Sequence, residues 1–163
     1  MDTVQFASDM GEAWGVHCRV NRLLLDSITA AGLAGVPAGM KGRSVGEIFA
    51  HLHNARLMWL ELTPELLSGL HKIPAKTKAE KEALTHEALR AALAASAAAV
   101  AALLQKSAEK GKAKGFKRSP LTFFSYVVSH EAYHHGEICM TLTQAGQRLP
   151  DEVLYGMWEW DKL

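Results

Sequence analysis

The chain has 163 residues, with 18 basic against 17 acidic for a formal net charge of +1. A chain of this length forms one domain around a single sizeable core, and its near-neutrality argues against a phosphate-coating nucleic-acid binder, which would carry a basic excess. Cys18 and Cys139, two cysteines without framework spacing, point to reduced thiols in a cytoplasmic protein.

No apolar run reaches the roughly 20 residues of a membrane span, and the N-terminus MDTVQFASDM lacks the regions of a signal peptide. Four helical segments are predicted. The first runs from Thr3 to Ala31 and stops among Gly32, Gly35, Pro37 and Gly39. The second opens on Ser44-Val45-Gly46-Glu47, an S-x-x-E capping box in which serine and glutamate satisfy each other's free N–H groups. It carries Ile48, Leu52, Ala55, Trp59 and Leu62 as an apolar stripe, and Thr63-Pro64 either ends it or restarts it. The third opens on another box, Thr77-Lys78-Ala79-Glu80, and runs through an alanine-rich stretch to Glu109, with Gly111 and Gly115 beyond. The fourth opens on Ser119-Pro120, an N-cap serine followed by an N1 proline, and continues to Gly146. No stretch alternates like a strand.

Four long helices joined by moderate connections predict an all-α four-helix bundle over residues 1–163. The apolar tail Leu154–Trp160 should cover one end or face, with Tyr155 or Trp158 as pocket-lining candidates. The lysines at 72, 76, 78 and 81, and the basic run from Lys106 to Arg118, lie beside helix breakers and read as solvated loops.

Eight histidines carry the chemistry. At about 100° per residue, His130 and His134 of the fourth segment share a face, and Phe123, Val127 and Ile138 are placed on the same inward stripe. An imidazole pair on a buried face needs a partner, and a metal ion supplies one. On the second segment, His51 lies at the edge of the apolar stripe and is the bundle-facing third ligand, while His53 turns about 200° away, towards solvent. His17 is a further possibility without a neighbour at i+3 or i+4; otherwise it is a satisfied or exposed helix residue. Glu137, one turn beyond His134, is a candidate proton acceptor or a hydrogen-bond partner of a ligand histidine.

His130-Glu131-Ala132-Tyr133-His134 also matches H-E-x-x-H, the zinc-protease signature. Its context is missing: Gly136 stands one residue early for the longer H-E-x-x-H-x-x-G-x-x-H form, Met140 occupies its last histidine position, and no strand precedes it to hold an extended peptide. Glu131 is therefore read as a helix-surface residue, and Arg56 and Tyr133 as ordinary flank residues or, as weaker candidates, substrate contacts.

SVGEIFAHLHNARLMWLE followed by HEAYHHGEI resembles the DinB/YfiT-like superfamily. Ser44, Val45, Glu47, Ile48 and His51 fit its second-helix motif, and His130, His134 and Gly136 its fourth-helix motif; Glu137 replaces the usual glutamine and His135 a common arginine. The resemblance implies a four-helix bundle holding one divalent ion, zinc or nickel, through His51, His130 and His134, often as a homodimer. It also implies a small-molecule substrate, with a low-molecular-weight thiol as cosubstrate in some members, and a transferase or hydrolase reaction. A non-catalytic, stress-associated metal-binding bundle is the alternative.

Overall fold

The computed structural model describes residues 2–39 and 41–163, and these residues are helical without a strand. In chain order the α-helices are α1 (Thr3–Asp26), α2 (Ala30–Leu33), α3 (Val45–Leu60), α4 (Lys78–Glu82), α5 (His86–Lys110), α6 (Pro120–Gln144) and α7 (Asp151–Gly156). The four long ones, α1, α3, α5 and α6, pack together: α5 lies along α1 and α3, and α6 touches all three.

Three helix starts are those the sequence signals. Ser44 and Thr77 each form a complete capping box, with Glu47 and Glu80 respectively. Ser119 accepts from Thr122 N ahead of Pro120. Each such cap is worth about 1 kcal/mol. The C-terminus of α5 closes on Gly111, whose φ of 66° is the left-handed conformation that favours glycine.

Two expected long segments are each broken once. The first ends at Asp26; the Ser27 hydroxyl turns back onto Leu23 O, and Thr29 caps the short α2 through Gly32 N. The box at Thr77 starts only the five-residue α4. Leu84 then drops into the core and Thr85 caps a new helix, α5, through Ala88 N. In both places a threonine side chain offers the backbone a fresh N-cap, and a buried aliphatic residue fixes the corner. Pro64 opens a 3₁₀ turn after α3 has ended at Leu60.

By length and composition α5 is apolar enough to cross a membrane, which corrects the expectation that no stretch is; its alanines provide that character. Here α5 packs against α1, α3 and α6 through a stripe including Leu89, Leu93, Ser96, Val100, Leu103 and Ser107. The C-terminal segment covers the core only in part. Val153, Leu154 and Met157 pack against it, whereas Tyr155 and Trp158 stand 69% and 82% exposed.

The apolar interior falls into two clusters. One gathers Leu24, Ile48, Leu52, Leu93 and Ile138; the other gathers Trp14, Leu57, Val100, Phe123 and Val127. Between them lies a buried polar layer to which every long helix contributes: His17 and Asn21 from α1, Arg56 from α3, Ser96 from α5, and Glu131 and His135 from α6.

Candidate metal centre

Along α6 the innermost line is Phe123, Val127, Glu131, His135 or His134, and Ile138, at successive steps of three or four. Glu131 therefore sits at the middle of the buried face and is 1% exposed, not on the helix surface as expected. His130 is displaced to the flank of that face, next to α3, and remains half-buried. On α3 the buried face is wider than one apolar stripe because the helix is enclosed by both α5 and α6. It includes Phe49, His53, Arg56 and Leu60.

This placement brings His51, His130 and His134 together. One ring nitrogen from each lies within 4.8 Å of the others. The ring centroids are 5.4 Å apart for His51 and His130, and 4.8 Å apart for both His51–His134 and His130–His134. Three converging imidazoles with no hydrogen bonds among themselves are a donor set that fits a divalent cation. His134 is oriented by Glu137, whose Oε2 lies 2.7 Å from Nδ1. The carboxylate accepts, so Nδ1 carries the hydrogen and Nε2 keeps its lone pair for a ligand bond.

Burial, with the positive charge of Arg43 next in weight, pushes the His51 imidazole down to about 4. Burial and the neighbouring His134 lower His130 in the same direction. Both rings are thus neutral, with lone pairs available, at neutral pH.

His51 and His130 also line an open cavity of about 300 Å³ whose walls include Met58, Trp59 and Tyr126. The Tyr126 ring lies nearly parallel to that of His130, at 6.4 Å and 20°. Trp59 is held edge-on by Phe116, Phe123 and Tyr126 at centroid distances of 5.8, 5.1 and 5.7 Å. Lys72 lines the same cavity and is bridged to Glu61.

Two of the other histidines, His53 and His17, are engaged elsewhere. His53 is 2% exposed, contrary to the solvent-facing expectation: Nδ1 lies 3.0 Å from Ala92 O of α5, and Nε2 lies 3.0 Å from His71 O. It points away from the triad, as expected, but into the α3–α5 interface rather than into water. His17 is not a ligand of the triad; its Nε2–H donates to Glu131 Oε2 at 2.9 Å.

Sequence reasoning missed the polar layer behind the triad. Glu131 accepts two hydrogen bonds from Arg56, at 2.7 and 2.8 Å, and one from Asn21 at 2.9 Å, besides that of His17. Arg56 also donates to Leu93 O and Ser96 Oγ, and its guanidinium lies 4.9 Å from the centre of the Trp14 ring. Burial alone would raise the Glu131 pKa, but the Arg56 charge and hydrogen bonds outweigh it and hold the carboxyl far below the ordinary carboxylate range. A carboxylate so fully engaged has no capacity to serve as the general base of H-E-x-x-H.

The DinB family model matches residues 4–160. The chain belongs to the DinB family. Comparisons of this DinB-family chain with curated proteins and with solved structures find no match.

His135 of this DinB protein gives its stability a pH dependence. Burial, and then the charge of His17, lowers its imidazole to about 4, against about 6.5 for a free histidine. Between these values the unfolded chain takes up a proton that the folded chain refuses. His135 therefore stabilises fully above pH ~6.5, and that contribution disappears as the pH falls towards 4. His51 adds in the same direction. Urea titrations of metal-free protein from pH 7 to 4 should lose about 3 kcal/mol from His135 alone; a flat profile through that interval would contradict the buried neutral imidazole.

Proposed function

We propose that this DinB-family protein is a divalent-metal-binding four-helix bundle acting as a metal-dependent transferase or hydrolase on a small molecule, with a low-molecular-weight thiol or water as nucleophile. The observation that carries the reading is the opening of His51 and His130 onto the 300 Å³ cavity. A structural zinc site is closed by four protein ligands, whereas a catalytic one has three and an accessible position. The group among the described residues has three, His51, His130 and His134, and two of them face the cavity.

Zinc or nickel held by these histidines would supply a Lewis acid that lowers the pKa of a bound water or thiol. Glu137 holds the His134 ring in one tautomer and, partly exposed beside it, is our candidate acceptor for a proton from the nucleophile. Trp59, Tyr126 and Met58 give the substrate's apolar body a wall fixed by aromatic packing. Lys72 offers a cation to an anionic substituent.

The test is binding and turnover on cobalt-substituted protein. Addition of a small thiol should change the visible absorption of the cobalt, and the loaded protein should turn over a thiol with an electrophile. Glu137→Gln should retain the metal but lose at least about tenfold in turnover. If the thiol leaves the spectrum unchanged, no turnover occurs, and metal removal only lowers the melting temperature, the non-catalytic bundle is the correct reading.

A further inference from the structure

On the face of α6 turned roughly 180° from the triad, another cavity, of about 360 Å³, opens between α1, α6 and the C-terminal segment. Its walls are apolar, with Val20, Val128, Met157 and Trp158 among them. Two polar side chains also line it. His17 and His135 are 2% and 8% exposed, and their rings stack at 5.5 Å and 26°.

The polar layer fixes what these two rings present. The Glu131 carboxylate can only accept, so the His17 contact is donated by Nε2–H. Asn21 Nδ2 donates to the same carboxylate, which turns its Oδ1 towards His135. His135 Nε2–H consequently donates to that oxygen, at 3.1 Å. In the neutral His135 ring the lone pair is left on Nδ1.

Neither Nδ1 has a hydrogen-bond partner in the protein, whereas no fully enclosed side-chain nitrogen or oxygen among the described residues lacks one. Both Nδ1 atoms therefore retain accessible surface, and the space both rings line is this cavity. Gly136, in the body of α6, borders the same space. Glycine weakens a helix there relative to alanine, and a Cβ at that position would meet no atom within 4 Å.

We propose that this cavity is a second small-molecule site, independent of the metal, which takes a flat apolar compound of one or two rings bearing an O–H or N–H donor, such as a phenol or an indole. The apolar walls and the stacked His17 ring receive the compound, and the Nδ1 lone pair of His135 accepts the donor hydrogen. The volume lies within the ordinary range for small-molecule pockets.

Calorimetric titration of the full-length, metal-loaded protein with 2-naphthol and with its methyl ether tests the assignment. The naphthol should bind, and the ether, which lacks the donor, should bind at least about tenfold more weakly. The His17 and His135 Nδ1 resonances should shift with the naphthol. Gly136→Leu, which fills the open space, should lose binding at least about tenfold while retaining the metal. His51→Ala should bind the naphthol unchanged. Absence of naphthol binding, equal affinity for the ether, undiminished binding by Gly136→Leu, or loss of binding in His51→Ala would each overturn the proposal.

Discussion

Glu131→Ala should lower the unfolding free energy of the metal-free protein by about 3–5 kcal/mol in urea titrations at pH 7, the usual cost of removing one partner from a buried ion pair. The size of the effect follows from what the carboxylate holds. Four hydrogen bonds converge on it from Arg56, Asn21 and His17. Without it, a guanidinium 2% exposed is left in the interior with only Leu93 O and Ser96 Oγ as partners. Removing the orphaned charge as well should recover much of the loss, so Glu131→Ala with Arg56→Met should be more stable than Glu131→Ala alone. A single mutant within about 1 kcal/mol of wild type, paired with abolished turnover, would contradict the structural role and restore the general-base reading of H-E-x-x-H.

His51→Ala, His130→Ala and His134→Ala should each reduce metal affinity by at least about 100-fold, since two imidazoles cannot replace the chelation of three. Metal content after dialysis against a weak chelator reads this directly. His53→Ala provides the contrast. It should keep the metal and lose stability, because its ring joins α3 to Ala92 O of α5 and to the His71 backbone. Retention of metal by His51→Ala together with its loss in His53→Ala would invert the assignment of the α3 histidines.

The triad was legible in the sequence because its signals are local: an i, i+4 pair on one helix and a histidine at the edge of a stripe following an unmistakable N-cap. The capping boxes at Ser44 and Thr77 and the N1 proline at 120 were legible for the same reason, as each is complete within four residues. The polar layer was not, because its justification lies on other helices. Glu131 occupies an i+4 step from Val127 on an apolar line, which signals burial, but only Arg56, 75 residues earlier, explains how a carboxylate tolerates that position. Likewise, a single apolar stripe turns His53 towards solvent, whereas α3 is covered by two neighbours. The corners at Ser27 and Leu84 carry no such signal because helical propensity continues through them; the new caps at Thr29 and Thr85 win through hydrogen bonds that the propensities do not contain.

The Arg56–Glu131 pair has a mechanical consequence for the metal centre. α5 presents many alanines, a smooth surface along which neighbouring helices could slide by a turn at small cost in packing. A bidentate ion pair does not tolerate such a slip. Arg56 lies five positions from His51 on α3, and Glu131 is adjacent to His130 on α6. Pinning the first pair sets the relative height of the two helices where the second meets. The imidazoles are therefore assembled by the fold itself before an ion arrives, and the ion's binding free energy is not consumed in ordering the chain. An ion held by these three histidines would be released and reloaded without unfolding the chain, unlike the metal of small domains that exist only while it is bound.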